Sequence, residues 1–192
     1  MANTQEKTAF IHKVWVNIAG LDLKGLFPSV LIAQAALESG WGQSELATKH
    51  NNLFGVKKGG SWTGPVVNMP TREVINGVSQ TVRADFRVYP SWQASIADRN
   101  KLLLTLKRYA NVRNAKTPQA QVEALKASGY ATGEKYVSKL MSTINANGLT
   151  RYDELKKKIM NNKTLSTIMI AAGVIIAGVG IYNIANLSKY LK

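Results

Sequence analysis

The clearest pattern in the chain is a run of apolar residues in its first quarter. Residues 30–37 are apolar except for Gln34, and such a run predicts a helix that is buried on most sides. Pro28 suits the first turn of this helix, and Gly40 suits the position just past its end. The pattern therefore predicts a buried central helix with Glu38 in its last turn.

A change of period marks a β-hairpin over residues 66–89. Asn76-Gly77 is a strong signal for a two-residue type I′ turn. Such a turn predicts the cross-strand pairs Ile75–Val78, Glu73–Gln80, Thr71–Val82 and Met69–Ala84. Paired side chains point to the same side of a hairpin, so Glu73 falls on a mostly apolar face. A carboxylate on an apolar face is unfavourable and suggests a functional role, unless that end of the strand is open to water.

Helical spacing and capping residues predict four more helices in the first 150 residues. They cover residues 4–19, a long stretch from Ser91, a stretch from Thr117-Pro118 to Gly129, and a stretch from Thr132 to about residue 147. Together these elements predict an α+β fold in residues 1–150. It has a mainly helical lobe and a small β-hairpin lobe, and a single hydrophobic helix follows it.

The last part of the chain differs in composition from the rest. Residues 151–163 are predicted to be a polar, basic linker, and residues 164–188 contain no charged side chain. About 20 apolar residues suffice to cross a bilayer, so residues 164–186 are predicted to be a transmembrane helix with a basic tail at 187–192. The competing interpretation is a core helix inside a larger assembly. The small residues Gly173, Ala177 and Gly180 lie close to one side, which favours helix–helix association.

Charge and the N-terminal sequence bear on where the protein acts. The chain has 192 residues, no cysteine and a formal net charge of +14, which favours a polyanionic partner. No nucleic-acid motif accompanies the charge, so a bacterial wall or a membrane is expected and nucleic acid is not. Residues 1–9 lack the pattern of a secretory signal peptide. The excess of basic residues before residues 164–186 argues that the preceding domain lies on the cytoplasmic side, whereas a wall partner would require the opposite side.

The candidate chemistry centres on Glu38. Desolvation in an apolar helix and the negative end of the helix dipole both raise the pKa of a carboxyl group. A carboxylic acid that stays protonated near neutral pH can protonate the leaving oxygen of a glycoside. Trp41 and two flanking glycines follow, and these suggest an aromatic wall beside the acid. The alternative is that Glu38 is simply solvated at a helix end. His12 and His50 are isolated, so neither a metal nor another cofactor is expected.

Four spaced motifs resemble a known family. They are Glu38-Ser-Gly-Trp-Gly42, Asn51-Asn-Leu-Phe-Gly55, Phe86-Arg-Val-Tyr89 and Gly129-Tyr-Ala-Thr132. In this order, across roughly residues 8–150, the sequence is similar to the autolysin and flagellar-hydrolase type of endo-β-N-acetylglucosaminidases. The resemblance implies a lysozyme-like α+β fold and hydrolysis of the β-1,4 bond after N-acetylglucosamine in peptidoglycan.

The resemblance also implies roles for individual residues. Glu38 would be the general acid, and Glu73, in Thr71-Arg-Glu73, would be the second catalytic carboxylate. Tyr130 would line the cleft near the reacting centre, although a packed tyrosine at a helix junction is the alternative. The remaining candidates are predicted to contact substrate: Trp41, Asn51, Asn52, Phe54 and Tyr136. A purely structural turn is the alternative for the two asparagines. Gly133-Glu134 replaces the Asp-Pro of the family pattern.

Three functions remain open at this point. The first is a wall-lytic glucosaminidase, anchored in the bacterial inner membrane and acting on its wall side, such as a phage lysis or entry enzyme or a delivered effector. The second is a lytic transglycosylase, which also uses one glutamate in a lysozyme-like cleft. The third is an inactive wall-binding module on a membrane anchor.

Overall fold

The computed structural model describes residues 2–75, 77–131 and 133–162. Within them the chain forms eight α-helices, a short 3₁₀ helix and one two-stranded sheet. The α-helices are α1 Thr4–Ile18, α2 Pro28–Ser39, α3 Glu45–His50, α4 Trp92–Thr105, α5 Ala110–Asn114, α6 Pro118–Ala127, α7 Tyr136–Ala146 and α8 Thr150–Asn161. The 3₁₀ helix is Lys107–Tyr109, and the strands are β1 Val66–Ile75 and β2 Val78–Arg87. The α+β class is confirmed.

The predicted central helix is α2. Ten of its twelve residues are buried, and it packs against α1, α6, α7 and α8. Pro28 occupies its first turn, and Gly40 ends it in the left-handed conformation at φ +57°, where a side chain would be strained. Each fully buried aliphatic side chain, such as Leu31 or Ile32, contributes about 1.5–3 kcal/mol of transfer free energy. This burial fixes the helix whose end carries Glu38.

The hairpin has the predicted register. The antiparallel pairs include Ile75–Val78, Glu73–Gln80, Thr71–Val82 and Met69–Ala84. Its expected apolar face is buried only at the base, where Phe86 is 5% exposed, whereas Val78 at the tip is 59% exposed. The hairpin bonds to the helical lobe at its base, where Arg87 and Tyr89 meet Asp98 of α4.

An ion pair attaches the base of the hairpin to α4. Arg87 donates from Nη1 to Oδ2 of Asp98 at 2.7 Å, and the hydroxyl of Tyr89 donates to the same oxygen at 2.7 Å. Arg87 is buried and also donates to the carbonyl of Lys57 at 3.1 Å. Removing one partner of such a buried pair costs about 3–5 kcal/mol. The pair therefore sets where the β lobe stands relative to the helices.

Residues after 150 form a helix where the sequence suggested a linker at 151–163. Helix α8 buries Asp153, Lys156 and Ile159, which share one face at spacings of three residues. Lys156 donates to the carbonyl oxygen of Ala19 at 2.8 Å and to that of Leu21. The high charge of this segment concealed its amphipathic pattern. The helical lobe therefore extends to α8.

Two other expectations differ from the structure or fall outside it. Helix α7 begins at Tyr136 with Lys135 as its N-cap, so the predicted start at Thr132 was too early. Residue 132 itself and the predicted transmembrane helix at 164–186 lie outside the described residues. Among the helices in the described part of the chain, none is long and apolar enough to cross a membrane.

Asp153 caps α2 from a distant helix, which gives a first prediction. Its carboxylate accepts from the backbone N–H of Ser29 at 2.8 Å and from the Ser29 hydroxyl at 2.7 Å. Asp153→Ala leaves both donors buried without a partner, so we expect it to lower the free energy of unfolding by about 1–3 kcal/mol. Urea unfolding measures this loss. Glu154→Ala, at an exposed neighbour, is the control and should stay within about 0.5 kcal/mol of the wild type.

Candidate active site

A cleft of about 400 Å³ opens where the end of α2 meets α4, the 3₁₀ helix and two loops. Its walls come from widely separated parts of the sequence. They are Glu38, Phe54, Gly55, Val56, Lys57, Arg99, Leu102, Arg108, Tyr109, Gly129, Tyr130 and Ala131. The cleft is lined by aromatic rings, backbone and cations, with one carboxyl group among these residues.

Glu38 stands at the mouth of this cleft. Its side chain reaches solvent, while the protein around the rest of the group raises the pKa of the carboxyl above its ordinary value of 4.5 by desolvation. Both observations fit a group on the wall of an open cleft, in contact with water on one side only. Glu38 is therefore both exposed to solvent and partly desolvated.

The chain turns sharply after Glu38. Gly40, Trp41 and Gly42 all have positive φ, at +57°, +61° and +78°. A Cβ on Gly42 would lie 2.9 Å from atoms of both Phe10 and Trp92, so only glycine fits. The hydroxyl oxygen of Ser39 accepts from the Gly42 N–H at 2.7 Å and holds the turn closed.

This turn carries Trp41 to α1 instead of to the cleft. Its ring meets Phe10 edge-on with centroids 5.9 Å apart, and the ammonium of Lys7 lies 5.3 Å from its centroid. Trp41 is not among the residues that line the cavity. The expected tryptophan wall beside Glu38 is therefore absent from the described cavity, because three successive left-handed residues redirect the chain.

Tyrosines form the aromatic wall. Tyr130 lines the cavity and stacks on Tyr136 with centroids 6.3 Å apart, and the ring of Tyr109 also lies 6.3 Å from that of Tyr130. Burial raises the pKa of both Tyr130 and Tyr136, so each stays a phenol at neutral pH. The two interpretations of Tyr130 are compatible here, since it lines the cleft and also packs at a helix junction. Tyr136 lies behind it, outside the cavity lining.

The two asparagines hold a loop in place. Asn52 is 1% exposed, and its amide donates to the carbonyls of Val56 at 3.0 Å and Arg87 at 2.9 Å. Asn51 donates from its amide to the carbonyl of Tyr89 at 3.0 Å. These contacts favour the structural alternative for both residues. The loop they brace presents Phe54 to the cleft, where it lines the cavity.

Glu73 does not line the cavity. It lies on β1, partly exposed, and forms an ion pair with Lys57, which is itself a lining residue. The structure thus connects Glu73 to the cleft through Lys57 and does not bring it beside Glu38.

The sequence interpretation missed Arg99 and the role of Gln34. Arg99 is 1% exposed and Gln34 is fully buried, and the guanidinium donates to the amide oxygen of Gln34. Signals for both were present. Gln34 is the one polar residue in an apolar run, and Arg99 falls at helical spacing between Ile96 and Leu103. In the part of the chain that the structure describes, no group of three or more His, Cys, Asp or Glu side chains could hold a metal ion.

The fold and this cleft define a protein with an acid carboxyl at the end of a buried helix, facing tyrosines, beside a β-hairpin. Residues 19–149 match the family described as mannosyl-glycoprotein endo-beta-N-acetylglucosaminidase, or Glucosaminidase. The chain belongs to this glucosaminidase family.

Curated relatives carry names from wall hydrolysis. The chain is 43% identical over 119 residues to the peptidoglycan hydrolase FlgJ of Escherichia coli, covering 60% of this chain and 38% of FlgJ. It is 41% identical over 139 residues to the exo-glucosaminidase LytG of Bacillus subtilis, covering 70% of this chain and 49% of LytG. The chain thus spans less than half the length of these relatives.

Solved structures share the fold. The catalytic domain of the autolysin Auto from Listeria monocytogenes aligns with a TM-score of 0.67 and 36% identity, over 80% of this chain and 90% of that one. A peptidoglycan hydrolase mutant from Sphingomonas sp. A1 aligns with a TM-score of 0.66 and 36% identity, over 75% of this chain and 96% of that one.

The raised pKa of Glu38 predicts a pH-dependent stability difference. At a pH well below 4.5, the ordinary value, the carboxyl is protonated in both the folded and the unfolded chain. As pH rises the unfolded chain ionises first, so wild type loses stability until the pH passes the raised folded pKa. Glu38→Gln does not titrate at this position. We therefore expect the variant to gain stability relative to wild type with rising pH and then level off, as measured by urea unfolding between about pH 4 and 8.

Other titrating groups are common to both proteins and cancel in this comparison. A stability difference that stays constant with pH, or that favours wild type increasingly as pH rises, would show that the carboxyl is not desolvated.

Proposed function

We propose that the protein is a glycoside hydrolase that cleaves the glycan strand of bacterial peptidoglycan at the β-1,4 bond after N-acetylglucosamine. The observation that carries this proposal is the single carboxyl in the cleft lining, Glu38, whose pKa is raised by desolvation. A protonated carboxyl on a cleft wall can give its proton to the glycosidic oxygen as the bond breaks. The names of the relatives and the +14 net charge support a wall substrate.

The other groups of the cleft supply orientation and charge. Glu38 protonates the departing oxygen while positive charge develops on the sugar ring. Tyr130 and Phe54 flank the sugar with aromatic surface, and the Tyr130 hydroxyl donates to an oxygen of the glycan. Completing hydrolysis requires water on the sugar carbon. Either Glu73 activates this water after leaving Lys57, or the acetamide of the substrate reacts first and water opens the product.

A lytic transglycosylase is the second candidate. It is favoured by the observation that Glu38 is the only carboxyl among the described lining residues, since one acid is enough for that reaction. In it, a hydroxyl of the substrate takes the place of water and closes an anhydro ring. The products separate the two reactions.

We further propose that residues 164–186 anchor the enzyme in the bacterial inner membrane with its cleft on the wall side. The uncharged stretch at 164–188 and the lysines on both sides of it support the anchor. The wall-side orientation follows from the proposed wall substrate, and the basic excess before residue 164 argues against it. Gly173, Ala177 and Gly180 would then let a second helix approach closely. An enzyme of phage lysis or entry, or a delivered effector, would suit such an anchor.

One prediction of this proposal concerns Glu38 as the proton donor. Glu38→Gln keeps the shape of the side chain and removes its proton donor, so we expect the release of soluble fragments from purified wall sacculi to fall by at least about 100-fold. The rate of wild type should also decrease as pH rises through the raised pKa of Glu38. Glu45→Gln, on the exposed start of α3 and paired with Lys49, is the matched control and should keep full activity.

Mass spectrometry of the fragments identifies the reaction. Hydrolysis after N-acetylglucosamine gives reducing N-acetylglucosamine ends, whereas the transglycosylase reaction gives anhydro-muramic ends. Glu73→Gln should reduce the rate less than Glu38→Gln does. Sacculi that bind the wild-type chain but release nothing would support the inactive wall-binding module and contradict the enzyme.

Another prediction concerns the proposed membrane anchor at residues 164–186. A Lys at the centre of a membrane-spanning helix costs about 2.5–3.5 kcal/mol, so Ile175→Lys combined with Val179→Lys should prevent stable insertion. We expect full-length wild type to float with phospholipid vesicles in a density gradient and the double variant to stay behind. Thr164→Lys, at the edge of the uncharged stretch, should float like wild type. Equal flotation of all three proteins would exclude the anchor at 164–186.

A further inference from the structure

A buried arginine lies beneath the cleft. Arg99 is on α4, with Ile96 and Leu103 on the same stripe of the helix, and it is 1% exposed. Among the described residues, the ion pairs do not include Arg99. Its Nε atom is buried without a partner there. A buried cation with no counter-charge is destabilising, so the contribution of Arg99 must be sought in the groups to which it donates.

Arg99 has only hydrogen-bond donors, and this fixes the direction of the bonds around it. Its Nη1 donates to Oδ1 of Asn100 at 2.9 Å, and its Nη2 donates to Oε1 of Gln34. The Gln34 amide must therefore turn its Nε2 group the other way. There it donates to the hydroxyl oxygen of Tyr136 at 2.8 Å. Because this oxygen already accepts from Gln34, the Tyr136 O–H is available to donate elsewhere.

Tyr130 lines the same cavity as this guanidinium. Burial raises the pKa of Tyr130 and the charge of Arg99 opposes that rise, and the Tyr130 ring is stacked on that of Tyr136. Since Arg99 can only donate, it can pair with the phenol oxygen but not with the phenol proton. Tyr130 and Glu38 line the same cavity, so the cleft is where this proton can be donated.

We propose that Arg99 is a positioning residue, which holds the hydroxyl of Tyr130 so that its O–H group donates toward the glycan beside Glu38. It acts on Tyr130 through its charge and through Tyr136, which Gln34 fixes and on which the Tyr130 ring stacks. The inference rests on the proposed glycosidase function of the cleft. Donors held in place before the reaction stabilise developing charge without having to reorganise, and a cation buried under two phenols supplies that order.

A double-mutant cycle on the full-length chain tests this role. Arg99→Met and Tyr130→Phe are made singly and together, and the initial rate of fragment release from purified sacculi is measured at limiting and saturating substrate. We expect each single change to lower the saturated rate by about 10–100-fold. In the Tyr130→Phe background, Arg99→Met should lower it further by less than about threefold, because contacting residues in one network do not act additively.

The matched control is another buried cation. Lys156 is 7% exposed and donates to backbone carbonyls of the α1–α2 connection, and it does not line the cleft. Whatever Lys156→Met does to stability, its effect on the rate should be the same in the wild-type and the Tyr130→Phe backgrounds. A loss of activity through general destabilisation would make Arg99→Met and Lys156→Met behave alike.

A second variant applies even if Arg99→Met fails to fold. Gln34→Glu gives Arg99 a carboxylate partner of the same shape but cannot donate to Tyr136 when ionised. We expect its thermal midpoint to equal or exceed that of wild type while the saturated rate falls by about tenfold or more.

The outcomes separate this inference from the proposed function. Additive rate effects of Arg99→Met and Tyr130→Phe, or a wild-type rate in Gln34→Glu, overturn the positioning role and leave hydrolysis by Glu38 intact. A wild-type rate in Tyr130→Phe does the same. Absence of Glu38-dependent fragment release from the wild-type protein overturns both proposals.

Discussion

The burial of α2 on nearly every side is the constraint on which the rest of the structure depends. A helix without a solvent face must have its polar groups satisfied by side chains from elsewhere in the chain. Asp153 does this at the first turn by accepting from Ser29, and Arg99 does it in the middle by donating to Gln34. Glu38 is left at the far end, where the cleft begins. The same burial that stabilises the fold thus places an acid at the rim of the core.

The electrostatics of the cleft follow from this arrangement. Partial desolvation raises the pKa of Glu38, and burial keeps the neighbouring tyrosines neutral. Two cations at the cleft differ in their surroundings. Arg99 is buried beneath the tyrosines, whereas Lys57 forms an ion pair with Glu73 on the hairpin. The Arg87–Asp98 pair holds that hairpin to the helical lobe. Two adjacent residues of α4, Asp98 and Arg99, therefore connect to the β lobe and to the cleft floor.

Local patterns predicted the elements well because their causes are local. The apolar run with Pro28 and Gly40 predicted α2, and the Asn-Gly pair in the sequence predicted the hairpin register. Features that depend on distant contacts were not predictable in the same way. The linker at 151–163 is mostly helix because Asp153 and Lys156 find partners more than a hundred residues away. Trp41 packs on α1 because of three left-handed residues, and Arg99 donates to Gln34, which only the fold brings next to it.

The role of Glu38 as a proton donor is tested most directly by titrating its carboxyl. Side-chain carbon NMR on the full-length protein, with the signal assigned by its loss in Glu38→Gln, gives this pKa without reference to activity. We expect a midpoint clearly above 4.5, the ordinary value. A midpoint at or below that value would show a carboxylate that is ionised and solvated at neutral pH, and it would contradict the role of Glu38 as the proton donor.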